Sequence, residues 1–357
     1  MSASTLAQPM RVSFVVPTYR RPDALRSTLA TLLTLNFPPE DYEIVVVDDG
    51  SGDQTSDVVA QLVQPAPRLT YVVQANSGVA TARNRGAAEA TGELLIFLDD
   101  DMLVLPDHIH AHLAARETHG DCLVNGHWEF SSETRAALDQ TPFGRYRVDL
   151  EDWVKTAVEK RPLDDARMLA SDVTAANLGI SAERFAALGG FNEAFPFAGC
   201  EDQDFSYRAA EAGYKFIYDP AIRLEHNDER VTLPQFCGRQ RRGAHTSVYL
   251  VALHPQAFSD SPLLLENAQI TRFDPRPMRL KKIAKAVYSS PPGLAVAATL
   301  IRALERFAPD SRALKRLYKM TIGAYIFLGI RDGLAALPDA RVAAQDAMHR
   351  RQHQTHA

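Results

Sequence analysis

Within the first hundred residues, short β-branched runs alternate with stretches of helical spacing, and this alternation constrains the fold more than any other feature. Val12–Val16, Ile44–Val47, Leu69–Val73 and Glu93–Leu98 read as strands, and Asp23–Leu35, Asp53–Val63 and Gly78–Ala90 as helices. Ile44–Val47 is apolar throughout, the pattern of a strand covered on both faces. The order βαβαβαβ with short connections predicts an α/β fold: a Rossmann-like, mostly parallel sheet flanked by helices. Crossovers of this kind are right-handed almost without exception.

The regularity weakens after Asp101. Pro106–His119 reads as a helix and Cys122–Trp128 as a strand. Residues 130–172 read as an irregular insertion with one or two helices. Ala175–Ile180 reads as a strand and Ala182–Leu188 as a short helix ended by Gly189-Gly190. Glu201–Ala212 is a further helix, and Phe216–Tyr218 and Ile222–Glu225 are two short strands. From Val231 onward the pattern is mainly helical. The expected organisation is a domain over 10–230, with a nucleotide-binding half at 10–101 and an acceptor half at 102–230, then a helical region at 231–357.

Composition excludes several classes. Apolar residues make up 46% and charged residues 23%, near the globular average and far from a disordered chain. A formal net charge of -5 argues against a general nucleic-acid binder. Cys122, Cys200 and Cys237 form no CxxC pair, so they read as buried or idle thiols in a reducing compartment. Met1–Met10 has neither a basic nor an apolar leader pattern, which leads to the expectation of a cytoplasmic protein. The longest apolar runs, Gly293–Ile301 and Met320–Ile330, fall short of the roughly 20 residues of a spanning helix.

In an open parallel sheet, ligands bind beyond the carboxyl ends of the strands. Three strands end there in polar clusters: Pro17-Thr18-Tyr19-Arg20-Arg21, Asp48-Asp49-Gly50-Ser51 and Asp99-Asp100-Asp101. Two like charges about 4 Å apart cost roughly 4 kcal/mol at an effective dielectric of 20. Three aspartates in a row after an apolar strand therefore suit a divalent cation held by carboxylates and substrate phosphates. The alternative is a solvated acidic turn that caps the next helix; Asp49 on the same edge favours the cation. Ser77–Gly86 lacks the Gly-Lys-Ser/Thr ending of a P-loop, and no dinucleotide fingerprint is present. His108, His110 and His112 follow Pro106 on an ordinary amphipathic helix and are read as surface residues.

The segments VSFVVPTYRR, IVVVDDGSGD, NSGVATARNRG, LLIFLDDD, NLGISAERFAALGGFNEAF and GCEDQDFSYRAAEAGY, with His226 after them, occur in that order. Together they resemble the family 2 glycosyltransferases over about residues 10–230. The resemblance implies a GT-A fold and inverting transfer from a nucleotide-activated sugar, usually with Mn2+ or Mg2+. It implies that Pro17, Thr18 and Tyr19 pack against the nucleotide and that Asp49 reads the base, with a UDP-sugar favoured. Arg83 is then near the nucleotide, Asp99 and Asp101 form the DxD pair with Asp100 between them, and Asp101 is the stronger metal ligand. His226 becomes a further metal contact, Asp202 the general base and Glu201 an acceptor contact. Asn177 falls near donor and acceptor. A carboxylate with a reference pKa of about 3.9 is ionised at neutral pH and can take the acceptor's proton.

The family's processive members carry a QxxRW motif beside membrane spans. Here the nearest stretch, Cys237–Gly243, has no tryptophan, which implies transfer of a single sugar. The acceptor is expected to be a glycan, a lipid-linked or a small-molecule hydroxyl. A sugar-1-phosphate nucleotidyltransferase is disfavoured because Pro17–Arg21 has no glycine. A non-catalytic nucleotide-sugar-binding scaffold is disfavoured by the intact acidic set. Residues 276–319 hold eleven Lys/Arg and two Asp/Glu, a net of +9 against -14 for the rest. This suggests either peripheral attachment to an anionic membrane surface or a helical cap that buries an apolar face.

Overall fold

A computed structural model describes residues 11–63, 65–159, 174–228, 230–258, 261–272 and 274–337. The readings made for Met1–Met10, for the later part of 130–172 and for the end of the helical region fall outside these residues. The described chain divides into two compact units. The first holds the residues up to Thr134, those between 159 and 194, and Glu201–Asp228; the second holds 135–158, 195–200 and the chain after 229.

The first unit is built on β1 (Val12–Thr18), β2 (Tyr42–Asp48), β3 (Arg68–Val73) and β4 (Leu94–Leu98), linked by helices α1 (Pro22–Leu32), α2 (Thr55–Leu62) and α3 (Val79–Glu89). These four strands pair in parallel in the order β3-β2-β1-β4. Their apolar residues alternate between two covered faces, as period-2 side chains must. Phe14, Val16, Ile44, Val46 and Ile96 pack with Leu25 and Leu29 of α1. Val15, Leu95 and Phe97 join the opposite cluster, with Phe185, Phe191 and Phe205. Helix α3 lies directly on the sheet because Gly86 has no side chain. A Cβ there would sit 2.4 Å from Cγ1 of Val15.

Beyond β4 the chain makes β5 (Met102–Val104), α4 (His108–His119) and β6 (Leu123–Phe130). Helices α5 (Ser132–Asp139) and α6 (Pro142–Glu159) follow, then β7 (Asn177–Ser181), α7 (Ala182–Ala187), α8 (Glu201–Glu211) and β8 (Phe216–His226). The full sheet has eight strands in the order β3-β2-β1-β4-β7-β6-β8-β5. It is mostly parallel, as expected, but mixed: β6 and β8 run with the first four strands, whereas β7 runs antiparallel to β4 and β6, and β5 antiparallel to β8. The two short strands expected near 216–225 are one strand. Its pairing with β6 skips from Gly126↔Asp219 to His127↔Arg223, so the register shifts around Pro220. The short β5 carried no periodicity and was not expected.

One surface assignment is overturned. His108 and His112 share the inner face of α4 and are 2% and 0% exposed. Their rings lie 4.8 Å apart, and His108 also packs on Phe14. Gly179 makes room for His112, since a Cβ there would be 2.5 Å from its Nδ1. Burial pushes the pKa of His108 down to about 4 and that of His112 well below the usual imidazole range. Both are neutral core rings, placed inside by the i, i+4 face they share.

The second unit is helical: α9 (Leu233–Leu253), α10 (Pro255–Phe258), α11 (Pro262–Asn267), α12 (Arg276–Tyr288), α13 (Pro291–Phe307) and α14 (Arg312–Ala336). Among the described residues no helix is long and apolar enough to cross a membrane. Cys122, Cys200 and Cys237 are all buried, and none of them is in a disulfide.

Candidate active site

The acidic run begins where β4 ends. Strand pairing then decides what stands next to it. Met102 of β5 lies opposite His226 of β8, and the Asn227 N–H donates to the Asp101 carbonyl at 2.8 Å. This register brings Asp101 beside His226 and Asp228. Asp101 Oδ2 is 3.3 Å from His226 Nε2, and Asp228 Oδ2 is 4.0 Å from it. One ligand atom from each of the three lies within 4.8 Å of the others, and all three residues are buried. Trp128 packs edge-on against the His226 ring and Phe130 stacks on it, which fixes its orientation. Two carboxylates and an imidazole, gathered where they would otherwise repel or strand polar atoms, fit a divalent cation.

Arg21 is the countercharge at this cluster. Its Nη1 donates to Asp100 Oδ1 at 2.7 Å and its Nη2 to Asp101 Oδ2 at 2.8 Å. Thr18 Oγ1 donates to Asp100 Oδ2 at 2.7 Å, so Thr18 is a buried support of the acidic run. Burial pushes the Asp100 carboxyl up to about 7, Arg21 pulls it down and Asp101 raises it. Pro17 is buried in β1, whereas Tyr19 is exposed with the Arg20 guanidinium over its ring.

Asp49 caps the loop before α3. It accepts from Gln74 Nε2 and the Ser77 N–H at 2.8 Å and from the Gly78 N–H at 2.9 Å. Asn177 pairs with Leu98 across β4–β7, next to Asp99, and its Oδ1 lies 3.3 Å from His112 Nε2. Its Nδ2 is buried with no partner among the described residues.

Arg83 of α3 joins the strand ends to α8. Its Nη2 donates to Asp99 Oδ1 and its Nη1 to Glu201 Oε1, both at 2.7 Å. The guanidinium is buried and also faces the Phe191 ring. Burial works against its charge, but Asp99 and Glu201 outweigh that and hold it protonated above the usual arginine range. Its guanidinium is thus engaged by carboxylates of the protein itself. Glu201 is the buried end of this ladder, and its neighbour Asp202 is left half-buried with one hydrogen bond among the described residues, from the Gln203 N–H. Gly199 at φ 124° and Cys200 at φ 71° turn the chain into α8. Burial and then the Glu201 charge push the Asp202 carboxyl up to about 7, while Arg83 pulls it down.

Arg21 and Asp228 take no role in the resemblance. Arg21 was visible only as one of several charges after β1. Asp228 stands two residues beyond His226, a spacing that carries no meaning until β8 ends beside Asp101.

A mixed sheet of this order, with an acidic rim at the ends of its parallel strands, defines the GT-A fold. The structure is similar to that of a Pyrobaculum calidifontis mannosyltransferase solved with GDP-Man and Mn2+, at a TM-score of 0.56, 21% identity, and coverage of 91% of this chain and 87% of that one. Residues 13–159 match the profile of Glycosyl transferase family 2. A validoxylamine A glucosyltransferase of Streptomyces hygroscopicus subsp. limoneus is 34% identical over 228 residues, covering 58% of this chain and 49% of the relative. A Campylobacter jejuni GalNAc(5)-diNAcBac-PP-undecaprenol beta-1,3-glucosyltransferase is 31% identical over 130 residues, covering 34% of this chain and 41% of that one. The chain spans about half the length of the first of these relatives. Residues 13–159 of the chain are a Glycosyl transferase family 2 region.

Proposed function

We propose that the chain transfers one sugar, with inversion, from a nucleotide-sugar donor to a hydroxyl of a glycan, lipid-linked or small-molecule acceptor. The observation that carries this reading is the ladder Asp99–Arg83–Glu201, which ties the start of α8 to the strand-end rim and leaves the adjoining Asp202 carboxylate open. In the reaction, Asp202 accepts the acceptor's proton, and the hydroxyl oxygen attacks the anomeric carbon from the face opposite the nucleotide. The bond from that carbon to the phosphate oxygen breaks, and its electron pair leaves with the diphosphate. A carboxylate poised near neutral pH suits this base role. Asp101, His226 and Asp228 would hold the divalent cation, Mn2+ or Mg2+, whose charge offsets that of the departing diphosphate. Asp49 has three internal donors, which leaves about one lone-pair site for a base imide N–H and favours a UDP-sugar.

Asp202→Asn tests this directly. Transfer falls by about 10²–10⁴-fold while donor affinity, measured by calorimetry, is unchanged. Transfer at the parental rate overturns the assignment. A panel of UDP-, GDP- and dTDP-sugars identifies the donor.

A further inference from the structure

Helix α12 is inverted relative to an ordinary packed helix. Its one buried residue is Lys282, held by Asp274 at 2.8 Å. Its large apolar residues face water: Leu280 is 67% exposed, Ile283 48% and Val287 66%, spaced i, i+3, i+7 along one face. Helix α13 packs Ala297 and Ile301 inward but leaves a second row outside, with Val296 60% exposed, Leu300 49% and Phe307 77%. The two helices lie against each other and both lie against α14. Each row is a run of exposed apolar side chains on one of two helices in contact, the kind of feature that marks an interaction surface.

Charge selects the occupant. Residues 276–319, which contain both rows, carry a net of +9. Lys281 and Lys285 pair with Glu266, Lys282 with Asp274 and Lys315 with Asp149. Arg276, Arg302, Arg306, Arg312, Arg316 and Lys319 have no carboxylate partner among the described residues. A second copy docked through this face would set two such cationic surfaces against each other, because a twofold interface is self-complementary. An anionic bilayer meets both requirements at once, with acyl chains for the apolar rows and lipid phosphates for the cations.

We propose that α12 and α13 form an interfacial membrane-binding surface that inserts Leu280, Ile283, Val287, Val296, Leu300 and Phe307 below the phosphates of an anionic leaflet. Arg276, Arg306, Arg316 and Lys319 then lie at headgroup level. The binding needs no sugar transfer and is measured apart from it.

The test is sedimentation of the full chain with phosphatidylcholine vesicles, with and without phosphatidylglycerol. The chain pellets with the anionic vesicles at low salt, and added salt weakens binding. Leu280→Asp/Val287→Asp weakens it at least tenfold, since each of these side chains is worth about 1.5–3 kcal/mol when fully buried. Arg316→Gln/Lys319→Gln weakens it by about fivefold per charge removed. All four positions are exposed in the fold, and thermal melting checks that the variants match the parent. In Phe307→Trp, indole emission shifts to the blue on the anionic vesicles, a readout that needs no destabilising change. The proposal is overturned if the chain stays in the supernatant with anionic vesicles at low salt, or if both double variants bind like the parent. A bound Phe307→Trp chain whose emission stays at the water value also overturns it. So does a lipid-free dimer, seen by light scattering, that Leu280→Asp/Val287→Asp converts to monomer, because the rows would then be a protein interface.

Discussion

Replacing Arg83 with methionine tests the ladder that places the candidate base. The substitution keeps a long apolar stem beside Phe191 but removes the cation between Asp99 and Glu201. Glu201, with its side chain 4% exposed, is left as a buried carboxylate without Arg83; Asp99, 34% exposed, is partly screened by water. Breaking a buried pair in this way costs about 3–5 kcal/mol, a large share of the roughly 5–15 kcal/mol that holds a folded protein together. At about 2–4 °C per kcal/mol, the melting midpoint of Arg83→Met falls by about 6–20 °C. Adding Glu201→Gln recovers part of the loss, because a neutral amide is less costly to bury than a carboxylate that has lost its Arg83 cation. Differential scanning calorimetry of the parent, the single and the double variant decides the matter. If Arg83→Met melts within about 2 °C of the parent, or if Glu201→Gln lowers the midpoint further, Arg83 does not bind α8 to the rim and the reasoning fails.

Two further outcomes follow from the same geometry. Asp202 serves as a base only when ionised, and burial with the Glu201 charge pushes its pKa up to about 7, so transfer falls as pH drops through that value. Because Arg83 draws this pKa down, the acid limb of the pH–rate profile moves to higher pH in whatever fraction of Arg83→Met is folded; a limb that stays in place refutes the coupling. For Asp228→Asn, Mn2+ affinity measured by electron paramagnetic resonance falls about tenfold or more, with His226→Ala as the comparison, and an unchanged affinity removes Asp228 from the ligand set.

The parallel half of the sheet was legible residue by residue, because β1, β2 and β4 are covered on both faces and read as short, largely apolar runs. The acidic rim was legible for the same reason: polar clusters directly after buried strands have nowhere to go but the strand ends. The pairings within the site were not. Arg83 is expected near the nucleotide from the resemblance, but its tie to Glu201 exists only once α8 folds back and sets that residue, 118 positions away, against it. His108 and His112 look like surface residues because only the packing of α4 on the sheet, in the space left by Gly179, shows that their face points inward.

Taken alone, the order of residues determined the βαβ units, the rim where chemistry is placed and the uneven charge of the C-terminal region, because periodicity and composition are local properties of a chain. The tertiary structure decided which charges meet. The β5–β8 register sets Asp101 beside His226 and Asp228, Arg83 bridges two carboxylates, and α12 turns its apolar row to water. Each depends on how distant segments pack, and sequence spacing carries no record of that packing until the backbone hydrogen bonds and the packed helices close the distance.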